Sequence, residues 1–337
     1  KSAGWLNCQR TPLAGDLSTR HYSRLFKGSN TAIMMDADST MQPFVFMTDW
    51  LRQAGLSVPE VIAGKPEVGL LLLEDFGDIS VNRYLLENPG QAEELHRGIV
   101  DLLLTIRASK TPDLDAPNAK TLVEWTEFTD RHYPGIDSKG LEDFRKGLAA
   151  NLTDALAEKA TVSLRDFHAD NLRWLTDRNG VHRFGLLDYQ DAFLTHPAYD
   201  LVSFLTDARV SVSAAQREQT LQMYLRQSKD EENKFRKAFA AFSAQRNLRI
   251  LGIFAHGAAN GRGHRWVAFV EIGRRRANEY LAGHSGNGTA DRRNFFVVRT
   301  FGNHDIANAE LLAECKDLFL FRIRFKQPFH RPAIAML

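Results

Sequence analysis

The chain is short of several features that would place it at once, and each shortage excludes a class. Cysteine is scarce: Cys8 and Cys315 are the only two among 337 residues. Thiols so far apart in sequence make neither a disulfide framework nor a zinc-type spacing, so both are expected to be reduced. Long hydrophobic runs are absent, since stretches such as residues 68–73 fall well below the roughly 20 apolar residues that cross a bilayer. An excess of one charge is missing as well. Lys and Arg number 43 against 41 Asp and Glu, a net charge of +2. No overall field therefore recruits nucleic acid or an anionic membrane, and neither is expected as a partner. Lys1 is not followed by a charged-then-apolar leader, so the expected location is cytoplasmic. A Gly-x4-Gly-Lys-Ser/Thr phosphate loop and a Gly-x-Ser-x-Gly nucleophile turn are also lacking.

What remains is material for a globular enzyme. Hydrophobic residues make up 44% and charged residues 25%, enough at this length for one large domain or two lobes. Charge is unevenly spread: residues 257–337 hold 13 Lys/Arg and 7 Asp/Glu, which leaves −4 for residues 1–256. The basic stretch includes Arg274-Arg275-Arg276 and Arg292-Arg293 near Phe295-Phe296; a solvated helix face is the expectation there.

The first 75 or so residues read as short strands around one helix. Residues 24–26 and 31–35 flank the turn cluster Lys27-Gly28-Ser29-Asn30 and should form a hairpin. Phe44, Met47, Trp50 and Leu51 share one face of a helix over residues 42–53. Residues 68–73 read as a buried strand. Beyond residue 80 the periodicity turns helical, over residues 91–108, 141–159, 197–208, 214–227 and 233–254. A small β-rich lobe is thus followed by a large helical one, interrupted by a single hairpin.

That hairpin carries the chemistry-bearing residues. Asn179-Gly180 is a strong two-residue turn signal, because a type I′ turn needs positive φ at both positions. Centring the turn there opposes Asn171 to Asp188 at the open end, with Cα atoms about 4.5–5.5 Å apart. Asp166 lies in the loop feeding the same end. One carboxylate and one amide oxygen suit Mg²⁺, which keeps its other positions for water and phosphate; a further Asp can orient a hydroxyl and take its proton. Two other readings of these residues stand beside this one: the three side chains simply cap turns, or His168 and Asp170 bind a hydrolytic metal, for which no second histidine is conveniently spaced.

Asp166-x4-Asn171 followed by Asp188 resembles the catalytic loop and metal aspartate of the protein-kinase-like small-molecule kinases, the aminoglycoside phosphotransferase and choline kinase group. Gly15-Asp16-Leu17-Ser18-Thr19-Arg20-His21-Tyr22, Met35-Asp36-Ala37, residues 71–78, Asp188-Tyr189-Gln190-Asp191-Ala192, residues 199–207 and Leu251-Gly252-Ile253-Phe254 are similar to its bacterial branch of anomeric N-acetylmuramate/N-acetylglucosamine kinases. The resemblance covers about residues 13–256. It implies a two-lobed protein-kinase-like α+β fold. Residues 1–76 would be the nucleotide-binding lobe, and residues 77–337 the catalytic and acceptor-binding lobe. It further implies ATP and Mg²⁺, with Asp166 as catalytic base and Asn171 and Asp188 on the metal. Leu17, Ser18, Thr19 and Arg20 would cover the phosphates, and Leu72, Leu73 and Glu74 would form the hinge that meets adenine. Asp200 would buttress the catalytic loop. Asp191 would either bind the acceptor or support the loop; Asp207 with Arg209 would either reach a sugar or form a salt-bridged helix surface.

The implied acceptor is a small molecule, and the favoured one is the anomeric hydroxyl of an amino sugar. Aminoglycosides or choline-like amines are the alternatives; enzymes of polycationic aminoglycosides usually present an acidic cleft, and residues 1–256 are only mildly acidic at −4, which disfavours them. One departure stands out: the third strand offers Met35 and Asp36 where kinases carry a phosphate-binding lysine. Arg20 or Arg24 is expected to supply the missing charge; if neither does, a non-catalytic nucleotide-binding module is the contrasting outcome.

Overall fold

A computed structural model describes residues 4–5, 7–13, 20–132, 138–210 and 212–259. Leu17, Ser18, Thr19, Cys315 and the basic stretch after residue 260 lie outside the described residues.

The N-terminal part is a five-stranded antiparallel sheet. It comprises β1 (Gln9–Pro12), β2 (His21–Lys27), β3 (Asn30–Asp36), β4 (Val61–Lys65) and β5 (Leu70–Glu74), in the order β1-β2-β3-β5-β4. The expected hairpin is present, with Lys27 opposite Asn30 and Gly28 at φ +61 closing the turn. Alternation along paired strands sorts the side chains onto two faces. One face carries Tyr22, Ile33, Met35, Leu71 and Leu73, which join the main core; the other carries Leu25, Ala32 and Leu72 in a small separate cluster.

Helix α1 (Gln42–Gln53) has the predicted limits and packs Phe44, Met47 and Leu51 into the main core. Burying each such side chain contributes about 1.5–3 kcal/mol. The strand expected over residues 68–73 begins later. Residues Pro66–Val68 form a 3₁₀ turn, and Gly69 takes φ +80 against the carbonyls of Ala37 and Ser39. No Cβ fits there, so the sequence resets before β5 starts.

The remainder is mainly helical. It contains α2 (Val81–Glu87), α3 (Ala92–Ala108), α4 (Ala119–Glu124), α5 (Phe128–His132) and α6 (Ser138–Leu156). After these come β6 (Thr161–Ser163), β7 (Leu172–Trp174), β8 (Phe184–Leu186) and β9 (Phe193–Thr195). Helices α7 (Ala198–Thr206), α8 (Ala214–Ser228) and α9 (Glu232–Ala259) complete the described chain. Strand β6 pairs with β9, and β7 with β8, each antiparallel. The long helix α9 packs against α5, α6 and α7.

The β7–β8 register corrects the sequence expectation by one residue. Leu172 opposes Leu186 and Trp174 opposes Phe184, so Asn171 falls opposite Leu187 rather than Asp188. The cause is the turn. Asn179 has φ −126 and only Gly180, at φ +54, is left-handed, whereas a I′ turn needs both. The chain instead runs into a 3₁₀ turn over Gly180–Arg183. Trp174 and Phe184 pack edge to face at 5.7 Å in the core. No helix among the described residues is long and apolar enough to cross a membrane.

Candidate active site

The loop between β6 and β7 is built by backbone hydrogen bonds. Arg165 leaves the strand in a left-handed conformation, φ +70. The Asp166 amide then donates to the Leu164 carbonyl at 2.8 Å, and the His168 amide to Asp166 O at 3.0 Å. Asn171 closes the loop by donating its Nδ2 to the same Asp166 carbonyl at 3.0 Å.

Asp200, near the start of α7, ties this loop from beneath. Its Oδ1 accepts from the Ser163 hydroxyl at 2.6 Å and its Oδ2 from the Leu164 amide at 2.7 Å. Burial pushes its pKa up to about 6 despite those two donors. Leu164 itself is a core residue.

Asp188 reaches the site although the register misses it, because it adopts φ +58 immediately after β8. Asp tolerates that region better than most residues. Its Oδ2 lies 3.5 Å from Asn171 Nδ2, so Asp166, Asn171 and Asp188 are brought together. Asp188 Oδ1 accepts from Arg20 Nη1 at 3.0 Å and from Gln190 Nε2 at 2.9 Å. Gln190 also donates to Asp191 at 3.0 Å, and Arg20 lies 3.9 Å from Asp191. Asp191 is half exposed beside this pair rather than under the loop.

The donor set fits a hard divalent cation. Asp188 and Asn171 offer one carboxylate and one amide, and a guanidinium already sits against Asp188 where positive charge is wanted. The alternative metal pair does not form. His168 is buried and Asp170 accepts from Asn82 at 2.9 Å. Among the described residues no cluster of three His, Cys, Asp or Glu side chains could hold a metal.

Of the two arginines expected to replace the strand lysine, only Arg20 faces this site. Arg24 is held by Asp75 and Asp78, through Nε–Oδ2 at 2.6 Å and Nη2–Oδ1 at 2.7 Å respectively. Leu72 and Leu73 lie inside β5 between β3 and β4. Glu74, at its end, pairs with Arg178 at 2.7 Å and exchanges backbone contact with Glu60 at 2.9 Å.

Tyr189 anchors the Asp188 loop to α1. The Thr48 hydroxyl donates to the Phe44 carbonyl at 2.8 Å, so the Tyr189 hydroxyl donates to Thr48 Oγ1 at 2.7 Å. The Tyr189 ring stacks on Phe44 at 5.0 Å.

Asp207 is not on a helix surface. It is fully buried at the end of α7, bound by Arg209 Nε and Nη2 at 2.7 Å each and by Arg246 at 3.2 Å. Burial opposes its ionisation, but Arg209 foremost holds the carboxyl well below its ordinary range. Burial would likewise raise Asp166; the charges of Arg249 first, then Arg246 and Arg165, hold it down instead. His168 is neutral, pushed down to about 3 chiefly by burial.

Arg246 and Arg249 are the site residues that the sequence reading missed. They sit on α9, some 80 residues from Asp166, and share no motif spacing with it. A signal existed nonetheless: Ser243, Gln245, Arg246 and Asn247 interrupt an otherwise apolar stretch, and all four are fully buried. A buried polar run in a core helix marks either a network or a site.

An antiparallel sheet joined to a helical body, with a catalytic-type loop between them, defines the two-lobed protein-kinase-like α+β class. Within that class the chain belongs to the phosphotransferase enzyme family (APH), whose sequence profile matches residues 9–239. A Caulobacter vibrioides protein described as an N-acetylmuramate/N-acetylglucosamine kinase is 32% identical over 316 residues, 79% of this chain and 86% of that protein. A Pseudomonas aeruginosa protein with the same description is 28% identical, over 72% of this chain and 75% of its own. The fold is shared with a choline kinase from Streptococcus pneumoniae, at a TM-score of 0.59 and 14% identity, over 83% of this chain and 95% of that one. The protein is a small-molecule kinase and so a user of ATP.

Proposed function

We propose that this chain transfers the γ-phosphoryl group of ATP to the anomeric hydroxyl of an amino sugar of the N-acetylmuramate/N-acetylglucosamine type. The observation that carries the reading is the convergence of Asp166, Asn171 and Asp188, in a chain similar to two kinases described as acting on those sugars. Residues 1–76 serve as the nucleotide lobe and residues 77–337 as the catalytic and acceptor lobe.

Phosphoryl transfer asks mainly for positioning and for neutralisation of charge on the phosphates. Asp166 orients the acceptor hydroxyl and takes its proton as the new O–P bond forms and ADP leaves. A carboxyl held below its ordinary range by three arginines is ionised at neutral pH and ready to accept. Asn171 and Asp188 would hold Mg²⁺, which when bound neutralises charge on the β- and γ-phosphates. Arg20, at 3.0 Å from Asp188, takes the phosphate-binding part of the absent strand lysine, and Leu17, Ser18 and Thr19 precede it in the phosphate-covering segment. Leu72, Leu73 and Glu74 lead the chain to adenine, Asp200 supports the loop, and Asp191 beside Asp188 faces the reactants. The same three arginines near Asp166 argue against an aminoglycoside or choline-like acceptor, because a cation there meets like charge.

The test is ADP release from ATP·Mg²⁺ with N-acetylmuramate, N-acetylglucosamine, choline and kanamycin in turn. Turnover with either amino sugar, and none with the amines, supports the reading. Turnover with choline or kanamycin alone replaces it, and nucleotide binding without any turnover points to a non-catalytic module.

A further inference from the structure

A cavity of about 340 Å³ is lined by Arg165, the residue before Asp166, and by Arg249, the foremost charge acting on the Asp166 carboxyl. That volume suits a small ligand. Trp125, Phe128 and Ile253 form its apolar wall. The Trp125 ring carries both guanidinium groups, with Arg165 Cζ at 5.0 Å and Arg249 Cζ at 5.6 Å from its centroid. Glu124, Glu127 and Arg131 line it from exposed positions, so the carboxylates are at the rim and the two half-buried arginines lie deeper.

Several guanidinium nitrogens around this cavity lack a hydrogen-bond acceptor. Asp207 is taken bidentately by Arg209, and Asp200 faces Ser163 and Leu164. Asp166 faces Arg165, Arg246 and Arg249, and Arg246 also donates to Asp207 at 3.2 Å. Arg246, with a side chain 0% exposed, reaches Asp166 only at 3.7 Å. Among the described residues Arg246 Nε and Nη1, Arg249 Nη1 and Arg165 Nε make no hydrogen bond. Buried charged donors are ordinarily paired, so these nitrogens are open to an anionic acceptor. Exposed Glu124 and Glu127 at the rim suit sugar hydroxyls.

We propose that this cavity is an anion subsite for the acceptor, in which Arg249 and Arg165 bind the carboxylate of a carboxylated amino sugar while its hydroxyl faces Asp166. The inference rests on the amino-sugar reading and sharpens it. N-acetylmuramate carries a carboxylate and N-acetylglucosamine does not, so the subsite gives the enzyme a preference for the acid sugar.

Two measurements test this. In the wild-type enzyme, kcat/KM for N-acetylmuramate should exceed that for its neutral carboxamide by about tenfold to a hundredfold, the range of a charge-assisted contact; equal values overturn the proposal without any variant. In Arg249→Gln and Arg165→Gln, the ratio of kcat/KM for N-acetylmuramate over N-acetylglucosamine should fall about tenfold, and Arg249→Lys should restore much of it. Taking the ratio cancels any change in Asp166 itself, which both sugars share. A wild type active on both sugars with an unchanged ratio in the variants overturns the subsite alone. A wild type active on neither overturns the amino-sugar reading, and the subsite with it.

Discussion

Arg24 and Arg246 each face two aspartates, and they are used in opposite ways. Arg24 makes four hydrogen bonds to Asp75 and Asp78, between 2.6 and 3.1 Å, and each of its three nitrogens is bonded. Arg246 makes one such bond, to Asp207 at 3.2 Å, and leaves two nitrogens unbonded at zero exposure. Bonded donors hold structure together; unbonded ones carry a desolvation cost that a ligand can offset. The contrast also explains why Arg24, although on the face of the sheet that meets the core, does not stand in for the strand lysine. Its charge is already spent on the turn after β5.

Four experiments test how differently these charges are used. Asp166→Ala removes a carboxylate that faces the under-paired arginines and should lower kcat about 10³-fold. ATP binding, followed by thermal shift, should persist; near-wild-type turnover would reject Asp166 as the base. Next, Arg24→Met should cost about 3 kcal/mol of stability by stranding buried Asp75, whereas Arg246→Met should cost less than about 1 kcal/mol. Equal losses in urea unfolding would abolish the distinction drawn here.

Third, Asp200 supplies a pH test. Its folded pKa, about 6, lies above the ordinary 3.8, so the native state binds its proton more tightly. The associated stability, about 2–3 kcal/mol, is complete below pH 3.8 and lost as pH rises through 6. Wild-type Tm should therefore fall relative to that of Asp200→Asn over this window, and parallel profiles would contradict a buried, proton-holding Asp200. Smallest, Arg20→Ala should weaken ATP binding about tenfold, measured by calorimetry; unchanged affinity would remove Arg20 from the phosphate site.

Local pattern made α1 legible to its last residue, because Phe44, Met47 and Leu51 repeat at helical spacing and the chain obeys them. The Asp166–Asn171 spacing was legible for a similar reason: one short loop fixes both. The register of β7 and β8 was not, since it depended on the φ of Asn179, which dipeptide identity does not determine. That Asp188 still arrives beside Asn171 is due to its own left-handed backbone, not to the pairing that was inferred. The Asp207–Arg209 pair was legible but its burial was not, because Arg246, which also contacts Asp207, comes from a helix far along the chain. Burial created by packing α9 against α7 leaves no trace in the residues around Asp207. The cavity has the same origin: Trp125, Arg165 and Arg249 come from three separate segments.

Tyr189 gives the molecule one more property. The link between α1 and the Asp188 loop consists of a neutral hydroxyl pair and two stacked rings, while Arg20 grips the same Asp188 by charge. Ionic strength screens the second and barely touches the first. In concentrated salt the loop therefore stays docked on its helix while the arginine's hold slackens, and the framework of the site outlasts its electrostatics.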